Sequence, residues 1–182
     1  VRSIGWALGL VLLAGCATVS NPLNSIRTDY KDVPGDDLKA VAQEIEVAVQ
    51  QGNREPGIAD RNGVVVSDPQ IVQAIRNRSA RAELVDQFRA TGFAVEQRNG
   101  LLKIRNGSEY KNATTSRERD KNAMIVLHEN ENRWAIYEGI LNKSQFRPGE
   151  LKTIQQAFYE ARVTVLPAGE KYENEAGTDQ AK

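Results

Sequence analysis

Cysteine, histidine and aromatic residues are all scarce in this chain of 182 residues, which holds one Cys, one His and 6% Phe, Trp and Tyr together. A single Cys excludes a disulfide framework within the chain. One His with no spare thiol excludes an ordinary His/Cys zinc site. Neither sign of charge dominates, with 24 Lys and Arg against 24 Asp and Glu. That balance disfavours a polyanion-binding protein, so no nucleic-acid partner is expected. The apolar run at residues 4–13 is about ten residues long, half of the roughly 20 a membrane-spanning helix needs.

That run is nevertheless the most informative part of the chain. It ends in Leu13-Ala14-Gly15-Cys16, and Arg2 precedes it. A short hydrophobic core, small residues and then a lone Cys resemble a bacterial lipoprotein signal peptide. The resemblance implies cleavage after Gly15, leaving 1–15 as signal peptide and Cys16 as the lipidated N-terminus. One acyl chain anchors only marginally, whereas three hold a protein to a membrane almost permanently. Ala17 rather than Asp after the Cys implies sorting to the outer membrane, facing the periplasm. The competing reading of Cys16 is a buried structural thiol.

Residues 16–35 carry Pro22, Pro34 and Gly35 among polar residues and read as a tether, and 36–169 as a single domain. Asp36 or Asp37 can cap a helix whose apolar positions Leu38, Val41, Ile45 and Ala48/Val49 recur at threes and fours, ending at Gly52. A loop follows over 53–63, then a β-prone Val64-Val65-Val66. Asp68-Pro69 starts a second helix. Its apolar positions Ile71, Ile75, Leu84 and Phe88 run to Gly92, with a slip near Asn77–Ser79 that predicts a kink or two short helices. Asn99-Gly100 predicts a two-residue hairpin turn within 93–105, pairing Glu96 with Lys103 and Val95 with Ile104. Thr115-Ser116-Arg117-Glu118 is a capping box opening the longest helix. Its expected seam is Ala123, Leu127, Asn130, Trp134, Tyr137 and Leu141. Pro148 starts a last helix with the stripe Leu151, Ile154, Phe158 and Ala161, expected to pack antiparallel to its predecessor. Residues 163–166 are β-prone, and 170–182 is expected to be a flexible tail.

Residues 78–172 resemble the YdbL-like family of small bacterial periplasmic proteins, a domain of unknown function. The resemblance lies in Gly92-x-x-x-Glu96-x-x-x-Gly100-Leu101-Leu102, Asn132-Arg133-x-x-x-Tyr137-x-x-Ile140-x-Asn142 and Pro167-x-Gly169-Glu170-x-Tyr172. The chain departs from the family at Val95, where Gly is usual, and in lacking a terminal Trp. Residues 36–77 have no counterpart in its smallest members. The resemblance implies a non-enzymatic periplasmic protein associated with large envelope-spanning proteins, and it carries over no catalytic residue.

The residues offer little chemistry of their own. His128-Glu129 lacks the second His that a zinc protease motif places four residues on, Asn132 standing there. We therefore expect no metal ligand, no cofactor and no catalytic residue. Glu129 and Glu131 could serve glycan cleavage only as a pair, and residues two apart on a helix diverge. Asn130 is expected to bind the hairpin backbone or to open a groove. Arg133 and Tyr137 form either a structural set, with Arg133 on Tyr137 or Glu96, or a partner-binding patch. Arg76, Arg78, Arg81 and Arg89 read as a solvated face offset by Glu83 and Asp86, or as a site for an anionic partner. The free edge of the Asn99-Gly100 hairpin could recruit a strand.

These readings combine into an α+β fold, four or five helices on a small antiparallel sheet built around one hairpin. The expected function is a membrane-anchored envelope adaptor or assembly factor for another envelope protein. Its alternative is a periplasmic carrier of lipid or another hydrophobic ligand, with a pocket lined by Leu127, Trp134, Phe158 and Val165.

Overall fold

The computed structural model describes residues 30–182. The signal segment, Cys16 and most of the tether lie outside the described residues. Five α-helices and a four-stranded sheet make an α+β fold: α1 Gly35–Gln50, α2 Pro69–Ala90, β1 Ala94–Glu96, β2 Leu102–Ile104, α3 Ser108–Ala113, α4 Ser116–Lys143, α5 Leu151–Val165, β3 Lys171–Glu173 and β4 Asp179–Ala181. The end of the expected tether is already docked. The Lys31 N–H donates to the Gln145 carbonyl at 2.9 Å, and Val33 packs against the core.

Local chemistry sets the helix ends. Asp68 accepts from the Gln70 N–H at 2.9 Å with Pro69 in the first turn, and the Thr115–Glu118 box is complete in both directions. Pro34, not Asp36 or Asp37, precedes α1; both aspartates sit in its first turn, where they meet the positive end of the helix dipole. Helix α3, not expected from the sequence, is a single short stretch that places Tyr110 under Phe88 and Phe93.

Helix α2 runs unbroken through Asn77–Ser79, where a kink or a division into two short helices was expected. Its buried face includes Arg78 and Ser79, so the period continues in polar residues while the apolar pattern skips. Leu84, expected inside, is 40% exposed. The α4 seam also differs from expectation. Ala123 and Leu127 face solvent, and the buried line is Ile125, Glu129, Arg133, Ile136/Tyr137 and Ile140. Helices α2 and α4 lie antiparallel, with Asn77 bonded to Asn132 and Ile71 filling the space over Gly139. Helix α1 packs chiefly on α5, and α5 meets α4 less extensively.

The sheet order is β2-β1-β3-β4 and the pairing is mixed, because β3 runs parallel to β1. Residues 163–166 are not a strand. Helix α5 continues to Val165, the Leu166 N–H still donates to the Arg162 carbonyl, and the Thr164 hydroxyl bonds to the Glu160 carbonyl. The third and fourth strands of the sheet are instead supplied by the tail that was expected to be flexible. Residues 170–182 form a hairpin turning at Asn174–Thr178, held by backbone pairing that needs no apolar side chains.

Two hydrophobic clusters result. The larger joins α1, α2, α4 and α5 through residues such as Ile45, Ile71, Ile140 and Phe158. The smaller gathers Val85, Phe88, Ala94, Leu102, Tyr110 and Ile125. Between the clusters the buried face of α2 carries Arg78, with Ser79 and Ala82, and that of α4 carries Glu129 and Arg133.

Candidate functional site: a closed ring of buried charges

The β1–β2 hairpin places the first member. Glu96 pairs with Leu102 and Val95 with Lys103, one residue away from the expected register. The Gly100 N–H donates to the Gln97 carbonyl, and Gly100 adopts φ +82°, giving a three-residue loop in place of a two-residue one. A one-residue slip turns every side chain of a strand to the opposite face. Glu96 therefore leaves Lys103 and points into the protein, where it is fully buried.

Inside, three arginines and three glutamates alternate around a closed ring. Arg78 makes a two-pronged contact with Glu46, both bonds at 2.8 Å, and its Nε donates to Glu129 at 2.9 Å. Arg133 Nε donates to the same Glu129 oxygen at 2.8 Å. Its terminal nitrogens clamp Glu96 at 2.6 and 2.9 Å. Arg162 Nε reaches Glu96 at 3.2 Å, and its Nη1 returns to Glu46 at 2.9 Å. The six residues come from α1, α2, β1, α4 and α5, and none is more than 2% exposed. Their formal charges cancel.

The Gly100 carbonyl completes one side. It accepts from Arg162 at 2.8 Å, from the Tyr137 hydroxyl at 2.8 Å and from Arg133 at 3.4 Å. A Cβ on Gly100 would lie 3.1 Å from the Tyr137 hydroxyl, so glycine is needed for space as well as for its positive φ. Beside the ring, a cavity of about 20 Å³ lined by Glu46, Arg78, Asp86, Arg89, Glu129 and Arg162 has room for about one water molecule.

Electrostatics fix the protonation states. Burial alone would raise the Glu46, Glu96 and Glu129 carboxyls, but their arginine partners outweigh it. Glu129, between Arg78 and Arg133, is lowered to about 2. Glu46 is held down by Arg78 and Arg162, and Glu96, by Arg133 foremost, falls well below the usual carboxylate range. Burial also tends to neutralise Arg78 and Arg133, yet the glutamates keep both more basic than usual. Burial raises the Tyr137 hydroxyl. None of these groups is poised to exchange a proton near neutral pH.

The expected site residues are redistributed accordingly. Glu96, Gly100, Arg133 and Tyr137 converge, and Arg133 rests on Glu96, so the partner-binding patch at Arg133 and Tyr137 does not exist on the surface. Asn99 is exposed at the turn, its carboxamide oxygen accepting from the Leu101 N–H. Asn130 lies outside the ring and binds the hairpin: its amide accepts from the Leu102 N–H at 2.8 Å and donates to the Leu102 carbonyl at 2.9 Å. That contact caps the outer side of β2 at Leu102, and β3 occupies the other side of β1. The hairpin edge expected to recruit a strand is thus engaged on both sides.

The basic residues of α2 divide: Arg76, paired with exposed Glu55, and Arg81 stay partly exposed, whereas Arg78 and Arg89 are buried. Arg78 is in the ring, and Arg89 is 8% exposed against Asp86, Glu96 and Glu170. Glu129 is buried while Glu131 faces solvent beside His128 Nδ1 at 2.9 Å, so the two carboxylates do not share a site. The proposed carrier pocket is not assembled either, since Leu127 is exposed and Phe158 is packed in the core against Tyr137. Of the six ring residues only Glu96 and Arg133 were expected to meet; Glu46 and Arg162 were not singled out, Arg78 was read only within the basic face of α2, and Glu129 only as half of an unsuitable carboxylate pair. The available signal was an unbroken helical period that passed through charged positions.

No family model, curated protein or solved structure matches this chain.

Proposed function

We propose that the chain is a bacterial envelope lipoprotein, anchored by acylated Cys16 in the outer membrane, whose periplasmic domain is a non-enzymatic adaptor or assembly factor for another envelope protein. The observation that carries this reading is the convergence of the three YdbL-like motifs. Glu96 and Gly100 from the first, Arg133 and Tyr137 from the second, and Glu170 from the third form one connected set through Arg89 and Arg162. Motifs that meet in space support a shared domain more strongly than their order along the chain.

The non-enzymatic part of the reading draws on how these groups are used. The ring carboxylates and guanidiniums bond to one another away from solvent, and Tyr137 bonds to the Gly100 carbonyl that Arg162 also holds. They suit a rigid scaffold better than general acid–base work. Among the described residues no helix is long and apolar enough to cross a membrane. With the β1–β2 hairpin engaged, the outward edge of β4 is the strand edge we assign to a partner.

Envelope fractionation tests the reading. Mature protein from membranes should begin at a triacylated Cys16, and crosslinking in intact envelopes should recover one defined partner. Cys16→Ser should abolish both results. Unmodified protein in the cytosol, or anchored protein with no specific crosslink, would remove the proposal.

A further inference from the structure

The β3–β4 hairpin supplies no side chain to either hydrophobic cluster. Its attachments are polar. Lys171 and Tyr172 pair in parallel with Val95 and Glu96, the Arg98 N–H donates to the Glu173 carboxylate at 3.0 Å, and the Tyr159 hydroxyl donates to the Glu173 carbonyl. Lys182 Nζ reaches the Val163 carbonyl at 2.6 Å. Segments held without buried apolar area open locally at lower free energy than the core.

At the start of this hairpin an ion pair is crowded. Glu170 is 6% exposed, and its Oε2 lies 2.8 Å from Arg89 Nε but too poorly aligned for a hydrogen bond. The same guanidinium faces Asp86 and, at 3.2 Å, Glu96. Glu96 is neutralised by Arg133 and Arg162 as well, whereas the ion pairs of Asp86 and Glu170 among the described residues both run to Arg89. Three carboxylates therefore surround one cation.

We propose that the hairpin is a strap over β1 whose latch, Glu170 on Arg89, tightens when the Asp86/Glu170 pair takes up a proton and loosens when both are charged. Asp86 and Arg89 face Glu170 from α2, and Glu96 does so from β1. On the hairpin itself the Lys182 N–H bonds to the Glu170 carbonyl, not to its carboxyl, and Lys171 reaches toward Gly92.

The sign follows from linkage. Burial raises both Glu170 and Asp86, and Arg89 offsets only part of it. Opening returns Glu170 to water and to its ordinary value. The closed strap therefore binds the proton more tightly than the open one. Closure is favoured below the ordinary carboxylate value and that gain is lost as pH rises through the raised one. The ring carboxylates, whose pKa values are depressed, respond only below that ordinary value, so the two effects occupy separate pH windows.

Hydrogen exchange of the full chain, corrected for intrinsic rates, tests this between pH 5 and pH 8. Protection across residues 167–182 should fall by about threefold or more, with a ceiling of about tenfold per pH unit for one proton. Helices α1 and α4 should hold constant. Glu170→Gln, permanently neutral, should stay protected at every pH, and Asp86→Asn should raise protection at pH 8. A flat wild-type profile would overturn the proposal. So would loss of protection in step with α1 and α4, or a Glu170→Gln slope equal to wild type. The wild-type profile and Asp86→Asn keep the test decisive even if Glu170→Gln does not fold.

Discussion

Arg162 on the last helix donates to Glu46 on the first at 2.9 Å, across 116 positions of sequence. This contact closes the ring. Without it, the charges would form an open chain, with Glu46 held only by Arg78 at one end and Arg162 held only by Glu96 and the Gly100 carbonyl at the other. A buried ion pair is weak evidence of net stability, because desolvation offsets much of the attraction. Its removal from one side only is different, since the remaining charge stays buried. The ring therefore specifies one arrangement of five elements more than it strengthens that arrangement.

Arg162→Met should destabilise the domain by about 3–5 kcal/mol, the usual loss when one partner of a buried pair is removed. Urea unfolding should show a lower midpoint with an unchanged slope. A loss below about 1 kcal/mol would mean that Glu46 and Glu96 do not depend on Arg162.

Acid should act through the same residues. Folded-state values for Glu46, Glu96 and Glu129 lie below their ordinary 4.5, so their contribution is present above that value in the unfolded chain and is lost as pH falls through the folded ones. Thermal unfolding midpoints should decline from about pH 4.5 downward, towards the Glu129 value of about 2. Midpoints that stay level across this range would contradict the ring's charge assignment.

Gly100→Ala combines two faults: a positive φ of +82° and a Cβ within 3.1 Å of the Tyr137 hydroxyl. The expected loss is about 1–3 kcal/mol, the range for a residue forced into a sparsely populated backbone region. The near-ultraviolet signal of Tyr137 should change with it. Unchanged stability would show that the carbonyl is not fixed by this turn.

Gly139→Ala tests the α2–α4 contact. A Cβ there would stand 2.5 Å from Ile71 Cγ1, a clash that requires the side chain or the helix to move. Overpacking of this kind costs about 1–3 kcal/mol, and in an Ile71→Ala background, where both Cγ1 and Cδ1 are gone, Gly139→Ala should cost less. An additive double variant would place the two residues out of contact.

Much of the framework was legible because it is local. Asp68-Pro69, the Thr115–Glu118 box and the period of α1 each depend on neighbours within a turn, and the structure keeps them. Asn130 does bind the hairpin backbone at Leu102, although the apolar seam that suggested it is not the buried line of α4, since Ala123 and Leu127 face solvent. The ring was hidden by the habit of reading charge as surface. Arg78, Glu129 and Arg133 sit on the buried faces of their helices, and only the persistence of the threes and fours through them marks those faces. The hairpin register depended on one extra loop residue, which pairing chemistry at Glu96 and Lys103 could not reveal. Parallel pairing of Lys171 with Val95 is non-local, joined through α3, α4 and α5, and its strand has no alternating apolar pattern to announce it.

The most direct measurement is an NMR titration of the Glu129 side-chain carboxyl from pH 7 downward. The expected result is no titration step before acid unfolding sets in, with the carboxylate locked between Arg78 and Arg133. A midpoint at or above the ordinary 4.5 would contradict the central claim that these charges are closed on one another.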